Sequence, residues 1–394
     1  MILKKCRVCN SKKFSTVVNL KNQPLANNLA HRVNQKVKLY PLKVSFCKNC
    51  SNSQLSIVVS HKKLFNNYFY KSSISSTLKE HFFKAANLYI RRFKLNKFSN
   101  IMDIGSNDGI GLLPYKKKFF KNLFGVEPAK NLYKITNKMN IKTYNSFLNS
   151  KIANKNINKF DLITASNVFA HADDIKGLTQ NTMKMLKKSG VFIVEVQYFP
   201  KMLIDGSFDN IYHEHVNYWC LLSLQYFFKL NQAQIFDVEM INTHGGSIRV
   251  YIKKDVNKNI KIKNKLKKIL DYEKKFFINY KKLFFEFQKK IDDRKLRFKS
   301  KIKEFFEKKK IIVGYGAPAK ATTLINFFNL EKYLSYVIDD NLLKNGKFIP
   351  NTNVKILKKF KKNNIDIILV FAWNYYKEIK SKNKDIAKKF LKIF

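Results

Sequence analysis

The sequence lacks any run of apolar residues that approaches the roughly eighteen needed to cross a bilayer. Its first residues, MILKKCRVCN, also lack the apolar segment and cleavage site of a signal peptide. These absences predict neither a membrane span nor a secretory leader, and we expect a cytoplasmic protein. With 394 residues, 45% of them hydrophobic, the composition is globular and leaves room for two or three domains.

Arginine is scarce, although the chain is strongly basic. Lysine and arginine total 77 residues against 27 aspartates and glutamates, a formal charge of +50, yet only 7 of the 77 are arginines. Arginine is the residue that binds phosphate and guanine through paired hydrogen bonds, whereas the lysines are spread through every segment. Because an AT-rich genome also favours lysine codons, the charge alone does not predict nucleic-acid binding, and none is expected.

Four of the five cysteines form two CxxC pairs, CRVC (Cys6, Cys9) and CKNC (Cys47, Cys50). Two such pairs offer four thiolates to one tetrahedral ion, which satisfies zinc and leaves no position for a catalytic water. A structural zinc site is therefore the favoured interpretation, with a redox dithiol or two incidental pairs as alternatives. Disulfides are disfavoured in a reducing compartment. The fifth cysteine, Cys220, lies in an aromatic stretch and is expected to be a buried small hydrophobe.

The dinucleotide-binding pattern GxGxxG is absent from NIMDIGSNDG, the first strand and turn in the middle of the chain. The turn instead presents a carboxylate, two glycines and an amide, at Asp103, Gly105, Asn107 and Gly109. Such a turn suits a ligand with an ammonium and a carboxylate better than one with two phosphates, and S-adenosylmethionine is such a ligand. A helix is predicted to follow from about Ile110.

Short apolar runs then alternate with helical periods, which predicts a parallel α/β sheet. The strand NLFGVEP ends in Glu127, where a carboxylate can accept both hydroxyls of a ribose. FDLITASNVFAH contains the next strand and ends in Asn167 and His171, and GVFIVEVQ is a further strand. AQIFDVEMI and SIRVYI form a closing hairpin that carries His244 and Arg249, candidates for diphosphate or sugar oxygens. A surface charge is the alternative for Arg249. Together these features predict a class I, Rossmann-like methyltransferase core that binds S-adenosylmethionine.

The C-terminal third begins with a segment rich in lysine and phenylalanine, residues 256–308. It predicts one or two amphipathic helices between domains rather than a membrane-surface helix. KIIVGYGAPAKATTLINFF then repeats the pattern of strand, glycine turn and helix. Gly314 and Gly316 allow the backbone to approach a ligand phosphate, and Lys320 adds charge near the start of the helix. A structural role for this GxG turn is the alternative.

NIYHEHVNYW, residues 210–219, places His213, Glu214 and His215 between aromatic residues. Zinc needs three protein ligands, and no third ligand at i, i+4 spacing is present, so a catalytic metal is disfavoured. In an extended segment His213 and His215 point to one side and Glu214 to the other. We therefore expect Glu214 to position substrate or backbone rather than to support His215. A solvated polar loop is the alternative for this fragment taken alone.

A series of short motifs runs the length of the chain: the paired CxxC, PLAN, YKSSISSTLKEH, DIGSNDG, GVEPA, SNVFAH, YHEH, THGGSIRVY and GYGAPAKATTL. This series resembles the nucleotide-sugar C-methyltransferases that build branched deoxysugars, such as the C-3 methyltransferases of the mycarose and tetronitrose pathways. The resemblance implies a zinc-binding domain at residues 1–66 and a methyltransferase core at 67–252. It implies a third part at 253–394, a helical linker and a Rossmann-like α/β domain that helps hold the nucleotide sugar.

The resemblance also assigns roles to individual residues. Cys6, Cys9, Cys47 and Cys50 match the zinc ligands. Tyr212, Glu214 and His215 match the catalytic stretch, with His215 as the base and His171 as a nearby helper. With the turn candidates above, the expected cofactor-binding residues are Asp103, Gly105, Asn107, Gly109, Glu127 and Asn167. The expected substrate-binding residues are His244, Arg249, Gly314, Gly316 and Lys320.

Carbon methylation requires a carbon nucleophile. Removing the proton next to the ketone of a 4-keto sugar gives an enolate that can attack a sulfonium methyl group. Because this carbon acid is weaker than an imidazolium by on the order of ten pKa units, the site must also stabilise the developing oxyanion. YHEH supplies a hydroxyl, a carboxylate and a base within one short motif.

Two other functions stay open on the sequence. A zinc-containing RNA methyltransferase would explain the charge, but we find no NPPY-like loop and no well-placed cysteine nucleophile. A non-catalytic sugar-nucleotide-binding relative need not keep DIGSNDG and YHEH, which are intact. The expected function is therefore C-methylation of a nucleotide-linked keto-deoxysugar, with S-adenosylmethionine as cofactor and a structural Zn²⁺. The sequence predicts neither the sugar nor the oligomeric state.

Overall fold

The computed structural model describes residues 2–60, 72–361 and 364–393. The strands are Phe14–Pro24 (β1), Leu39–Cys47 (β2), Ser53–Leu55 (β3), Asn100–Ile104 (β4), Asn122–Val126 (β5), Lys142–Tyr144 (β6), Phe160–Ser166 (β7), Leu186–Gln197 (β8), Asn217–Tyr218 (β9), Ala233–Ile241 (β10), Ser247–Lys254 (β11), Ile312–Tyr315 (β12), Val337–Ile338 (β13), Ile356–Leu357 (β14), Ile365–Val370 (β15) and Ala387–Leu391 (β16). The α-helices are Ser76–Arg92, Leu113–Lys117, Lys130–Lys138, Ser150–Asn154, Ile175–Met185, Phe199–Asp205, Leu221–Leu230, Asn264–Phe276, Tyr280–Glu307, Ala319–Phe328 and Tyr376–Lys382. The predicted boundary between residues 66 and 67, and Tyr70 and Lys71 of the YKSSISSTLKEH motif, lie outside the described residues.

The largest sheet carries the strands predicted for the middle of the chain. Its order is β10-β11-β8-β7-β4-β5-β6, and all neighbours are parallel except that β11 runs antiparallel to β10 and β8. Central strands such as β4 and β5 are almost entirely buried, as expected for a sheet covered on both faces. This order, with its closing β10–β11 hairpin, is that of a class I methyltransferase, so the predicted fold is confirmed.

The order in which successive strands are added to this sheet reverses next to β4. From β4 the chain proceeds outward through β5 and β6, and it then returns to β7 and β8 on the other side. Such a reversal opens a crevice beyond the carboxyl ends of the strands, where open α/β sheets bind their ligands. The segments that follow β4, β5 and β7 are therefore brought to one place.

The helix predicted from about Ile110 starts later and is short. It spans Leu113–Lys117, because the preceding residues form successive turns in which Gly105 and Gly109 have φ values of 69° and 85°. Side chains with a Cβ avoid this region of backbone conformation, whereas glycine adopts it readily. The turns keep the chain after β4 at the crevice instead of leading it directly into a helix.

A second sheet joins the N-terminal part to the NIYHEHVNYW segment. Its order is β1-β2-β3-β9, with antiparallel neighbours, and β9 belongs to that segment. Ser53 lies opposite Tyr218, and Gln54 lies opposite Asn217. A strand of two residues has no periodicity from which the sequence could predict it, yet it fixes the chain directly after YHEH.

The third sheet, β14-β13-β12-β15-β16, is entirely parallel and forms the predicted C-terminal Rossmann-like unit. The predicted linker contains two amphipathic helices, Asn264–Phe276 and Tyr280–Glu307. Phe284 of the longer helix packs on Phe46 of β2 at a ring-centroid distance of 5.2 Å, inside a core that the N-terminal sheet and the C-terminal unit share. Within the described ranges, no helix is both long and apolar enough to cross a membrane.

Candidate active site and metal centre

The two cysteine pairs meet in space, although 37 residues separate them. The Sγ atoms of Cys6, Cys9, Cys47 and Cys50 all lie within 4.8 Å of one another, and the Cys6–Cys50 and Cys9–Cys47 distances are 3.5 Å. The antiparallel register of β1 and β2, with Cys47 opposite Phe14, brings the pairs together. Tetrahedral zinc with Zn–S bonds of roughly 2.3 Å holds its sulfurs about 3.8 Å apart, so this cluster has the size that zinc requires.

A cleft with a cavity volume of about 1110 Å³ opens where the strands of the largest sheet end. It extends from the turns after β4, β5 and β7 to the loop after β12 of the C-terminal unit, and the NIYHEHVNYW segment lies along it. Twelve of the predicted residues line it: Asp103, Gly105, Asn107, Glu127, Asn167, His171, Tyr212, Glu214, His215, His244, Gly316 and Lys320. Candidates for cofactor, catalysis and substrate therefore share one cleft.

The turn after β4 is tightly constrained. Gly105 has a φ of 69°, and a Cβ there would lie 2.6 Å from Cγ2 of Val168 in the turn after β7. Asn107 also has a positive φ, of 50°. Its Oδ1 accepts a 3.0 Å hydrogen bond from the backbone nitrogen of Ser72, which ties the segment before the helix Ser76–Arg92 to the turn. Glycine at position 105 therefore lets the turn after β4 pack directly against the turn after β7 at the wall of the cleft.

Two buried carboxyl groups stand at the ends of neighbouring strands. Glu127 accepts hydrogen bonds of 2.8 Å from the backbone nitrogens of Asn107 and Ala129. Asp103 accepts one of 2.6 Å from Oγ1 of Thr164. Burial raises the pKa of Glu127, and it raises the pKa of Asp103 to about 7. A carboxylate has about four acceptor positions, so Glu127 keeps capacity for a ribose diol in the cleft that it lines.

Tyr212 and His215 form a hydrogen-bonded pair at the cleft. The Tyr212 hydroxyl lies 2.7 Å from Nε2 of His215, and Nδ1 lies 2.8 Å from the carbonyl oxygen of Asn210. Because a carbonyl oxygen only accepts, Nδ1 carries the proton and Nε2 accepts from the tyrosine. Burial, with a further contribution from the charge of His171, lowers the pKa of His215 well below its ordinary value. The imidazole is therefore neutral and has a basic nitrogen.

The YHEH segment is a turn rather than an extended strand. The backbone nitrogen of His215 donates a 3.0 Å hydrogen bond to the carbonyl oxygen of Tyr212, and both side chains line the cleft together with Glu214. His213 is buried elsewhere, against Tyr40 of the N-terminal sheet, with ring centroids 5.8 Å apart. The shared side of His213 and His215 holds only for an extended segment, and in this turn residues three apart, Tyr212 and His215, come together instead.

Glu214 is held by the N-terminal part of the chain. Asn27 of the PLAN motif donates from Nδ2 to Oε2 of Glu214 at 2.8 Å. Burial raises the pKa of Glu214 to about 8, so this carboxyl is largely protonated near neutral pH. His171 donates from Nδ1 to the carbonyl oxygen of Glu214 at 2.8 Å, and its ring meets that of His215 edge-on at 4.7 Å. His171 thus supports the backbone on which the Tyr212–His215 pair is built.

Three predicted residues lie outside the lining of the cleft: Gly109, Gly314 and Arg249. A Cβ at Gly314 would lie 2.7 Å from side-chain atoms of Phe371 and Val337, so glycine serves packing there. A Cβ at Gly109 would lie 3.2 Å from Cγ2 of Thr136. These two glycines are needed where the chain is crowded by its own side chains.

Arg249 is bound by two carboxylates of its own sheet. It lies opposite Glu195 in the β8–β11 register, and its Nε donates to that residue at 2.6 Å, while Nη1 donates to Glu239 at 3.0 Å. Although burial by itself raises the pKa of Glu195, the hydrogen bond from His81 and the charge of Arg249 lower it to about 2. The structure does not bring Arg249 to the predicted diphosphate or sugar oxygens, because a buried ion pair uses its guanidinium.

Three family models match successive parts of the chain. A zinc-binding domain matches residues 6–65, a methyltransferase domain matches residues 78–236, and the C-methyltransferase C-terminal domain matches residues 242–393. C-methyltransferase NovU of Streptomyces niveus is 27% identical over 388 residues, which are 96% of this chain and 92% of NovU. The chain thus has the successive parts of an S-adenosylmethionine-dependent C-methyltransferase.

Solved methyltransferases align with part of this C-methyltransferase. One S-adenosylmethionine-dependent methyltransferase from Clostridium acetobutylicum is 17% identical, with a TM-score of 0.36, over 45% of this chain and 92% of its own. Another from Archaeoglobus fulgidus is 15% identical, with a TM-score of 0.37, over 45% of this chain and 94% of its own.

The C-methyltransferase uses S-adenosylmethionine and carries a zinc-binding domain. The residues present fit both groups. Four sulfurs at the spacing of a tetrahedron leave no open coordination position, so the zinc is structural. In the cleft, the backbone of the turn at Gly105 and the remaining acceptor capacity of Glu127 suit the amino-acid and ribose ends of the cofactor.

Trp373 is a cleft residue that the sequence analysis missed. It follows β15, and its Nε1 donates a 2.6 Å hydrogen bond to Oδ2 of Asp209, which joins the C-terminal unit to the middle of the C-methyltransferase. A Cβ at Gly245, whose φ is 86°, would lie 2.7 Å from the Trp373 ring, so glycine lets the hairpin turn pack on it. Nζ of Lys320 lies 4.5 Å from the centroid of this ring. A tryptophan just after a predicted parallel strand was the available signal, because that sheet edge binds ligands.

Proposed function

We propose that this C-methyltransferase methylates C-3 of a nucleotide-linked 4-keto-deoxysugar in branched-sugar biosynthesis, through an enolate formed by His215. The observation that carries the proposal is the Tyr212–His215 pair at 2.7 Å, which lines one cleft together with Glu127 and Lys320. Groups suited to the cofactor and groups suited to an anionic substrate therefore flank a neutral imidazole. The choice of a nucleotide sugar and of C-3 follows the motif resemblance.

The proton acceptor is Nε2 of His215. Because Nδ1 donates to the carbonyl oxygen of Asn210, the tautomer with a lone pair on Nε2 is fixed before substrate binds. The Tyr212 hydroxyl, which donates to Nε2, can take the substrate proton as its own proton passes to the imidazole. The Asn210 carbonyl then stabilises the imidazolium through the same Nδ1–H bond.

The remaining residues bind and orient. S-adenosylmethionine supplies an electrophilic methyl group when it is bound. Glu127 binds the ribose of the cofactor, and the turn at Gly105 lets it lie beside the catalytic segment. Glu214, protonated and oriented by Asn27, offers both a donor and an acceptor to the sugar hydroxyls.

The size of the cleft supports two ligands. Small-molecule sites usually enclose roughly 300–1,000 Å³, and this cleft has a volume of about 1110 Å³. Its far end is formed by the loop after β12, where Gly316 has a φ of 87° and lines the cleft. His244 and Lys320 add polar groups between this loop and YHEH. The arrangement suits a cofactor at one end and a long, anionic substrate at the other.

The proposal is tested by methyl transfer to candidate sugars. The purified enzyme is incubated with S-adenosylmethionine and dTDP-4-keto-6-deoxyglucose, or with the corresponding UDP and GDP sugars, and products are analysed by mass spectrometry and NMR. Gain of one methyl group on the carbon beside the ketone is the expected result. Methylation of RNA in parallel reactions, with every sugar unchanged, would contradict the proposal.

A further inference from the structure

Lys320 carries an ammonium group whose hydrogen-bonding capacity is unused. Its Nζ is enclosed by the protein and has no hydrogen-bond partner among residues 2–60, 72–361 and 364–393. Its contact is the face of Trp373, 4.5 Å from Nζ to the ring centroid. An ammonium withdrawn from water without a partner is costly. A ligand that brings an anionic oxygen to this group would therefore be strongly favoured.

A negative charge near this ammonium partly offsets the effect of burial without occupying its protons. Burial lowers the pKa of Lys320, whereas the negative charge of Asp209 raises it. Asp209 is fully buried, and its Oδ2 accepts from Nε1 of Trp373, while its Oδ1 has no hydrogen-bond partner in the described part of the chain. The indole thus stands between the carboxylate, which it binds, and the ammonium, which it covers.

Lys320 lines the same cleft as the base. Its charge is among the causes that lower the pKa values of His215 and His244, after burial. Two other donors beside the base already have acceptors. Tyr212 donates to Nε2 of His215, and His171 donates to the carbonyl oxygen of Glu214. The flexible side chain of Lys320 lines the same cleft, and its ammonium protons have no hydrogen-bond acceptor in the described part of the chain.

We propose that Lys320 is a catalytic residue whose ammonium donates a hydrogen bond to the ketone oxygen of the sugar and stabilises the enolate. The inference rests on the proposed function and deepens it. As the C–H bond beside the ketone breaks, its proton passes to the Tyr212 oxygen while the Tyr212 proton passes to Nε2 of His215, and the electron pair of the C–H bond forms the C=C bond. The π electrons of the carbonyl move to its oxygen, which becomes anionic. Lys320 keeps its proton throughout and is hydrogen-bonded to that oxygen.

The competing role for Lys320 is to anchor the diphosphate. A diphosphate carries the same charge before and during enolate formation, so an anchor stabilises both states equally and acts on KM. An oxyanion donor stabilises charge that appears only in the transition state, so it acts on kcat. The two roles therefore differ in a measurable way.

The test compares Lys320→Met with Lys295→Met. Lys295 is a matched control, because its Nζ also lies over an aromatic ring, 4.3 Å from the centroid of Phe327, but the residue does not line the cleft. Exchange of the hydrogen beside the ketone of dTDP-4-keto-6-deoxyglucose is followed in D2O without S-adenosylmethionine. For Lys320→Met we expect kcat of exchange to fall about 10²- to 10³-fold, with KM changed by less than about threefold. Lys295→Met should exchange like the wild type.

Further variants distinguish a charged donor at position 320 from a donor elsewhere in the cleft. Lys320→Arg preserves the charge and should exchange faster than Lys320→Gln, and binding of S-adenosylmethionine by each variant shows that the fold is intact. An unchanged kcat with KM raised about tenfold would identify a diphosphate anchor and overturn the inference. Normal exchange by Lys320→Met with lost exchange by Glu214→Gln would assign the donor to Glu214. If the wild type exchanges no nucleotide sugar, the proposed function fails as well.

Discussion

Asn27 donates a 2.8 Å hydrogen bond to Glu214, across 187 residues of chain. The donor follows β1 in the N-terminal part of the chain, which also carries the four cysteines, and the acceptor lies in the cleft. In addition, β3 of the N-terminal sheet pairs with β9, directly after YHEH. The four cysteines do not line the cleft, yet Cys47 is the last residue of β2, in the sheet whose strand β3 pairs beside the catalytic segment.

Loss of the zinc should therefore weaken both the fold and activity. In Cys47→Ser one of the four sulfurs is replaced by a poorer ligand, so we expect the zinc content per chain to fall and the melting temperature to decrease. Metal content is measured by mass spectrometry and unfolding by circular dichroism. Cys220→Ala is the control, because Cys220 is buried outside the cluster and should leave the zinc content unchanged. Full zinc occupancy in Cys47→Ser would contradict this assignment.

The titration of Glu214 predicts a pH-dependent stability. Burial raises its pKa from 4.5 to about 8. A group whose pKa is higher in the folded state contributes stability that is fully present below pH 4.5 and is lost as the pH rises through about 8. Relative to Glu214→Gln, the wild type should therefore lose on the order of a few kcal/mol of unfolding free energy between about pH 5 and pH 9. Urea denaturation of both proteins measures this difference.

Glu80→Gln is the matched control for that experiment. Glu80 is exposed on the helix Ser76–Arg92 and pairs only with Lys84 in the described structure. Its substitution should leave the pH profile of stability parallel to that of the wild type over this range. A Glu214→Gln profile that is equally parallel would show that Glu214 titrates at an ordinary pH.

Substitution of the base should separate catalysis from cofactor binding. His215→Asn removes Nε2 as a proton acceptor, so we expect turnover to fall by about 10³-fold or more. The affinity for S-adenosylmethionine, measured by calorimetry, should change by less than about twofold, because the cofactor groups lie on other turns. His213→Asn is the control, since His213 is buried against Tyr40 outside the cleft. Near-normal turnover in His215→Asn would remove His215 as the base.

Glu127 is expected to affect the binding of S-adenosylmethionine and not the chemical step. Glu127→Gln keeps the shape but replaces a charged acceptor, so we expect the dissociation constant for S-adenosylmethionine to rise roughly 10- to 100-fold. At saturating cofactor, kcat should recover to within about threefold of the wild type. Glu286→Gln, at an exposed position of the helix Tyr280–Glu307, serves as the control. An unchanged dissociation constant would show that the ribose binds elsewhere.

Local patterns were sufficient to predict much of this molecule. The spacing of Cys6, Cys9, Cys47 and Cys50 predicted a cluster that the register of β1 and β2 assembles. The alternation of strands and helices predicted the large sheet, and parallel strands place the residues after their carboxyl ends at one edge. Glu127 and Asn167 could therefore be chosen without knowing any long-range contact.

Residues whose position depends on partners distant in sequence could not be chosen this way. Arg249 looked available for substrate, because its partner Glu195 lies on another strand, 54 residues earlier. Asp209 and Trp373 form a hydrogen bond across 164 residues. The side to which His213 points depended on whether YHEH is extended or a turn, and the backbone hydrogen bond from His215 to Tyr212 that makes it a turn could not be read from the sequence. The alternation of side chains between two faces applies only to residues that form a strand.

Enolate formation at the Tyr212–His215 pair is tested most directly by hydrogen exchange on the substrate. The wild-type enzyme is incubated in D2O with a dTDP-4-keto-6-deoxyhexose, with and without S-adenosylmethionine, and the sugar is analysed by mass spectrometry. The account predicts enzyme-dependent uptake of deuterium beside the ketone when S-adenosylmethionine is omitted, and gain of one methyl group when it is present. If the enzyme catalyses no exchange and no methylation with several nucleotide sugars, that result would contradict carbon-acid chemistry at the Tyr212–His215 pair.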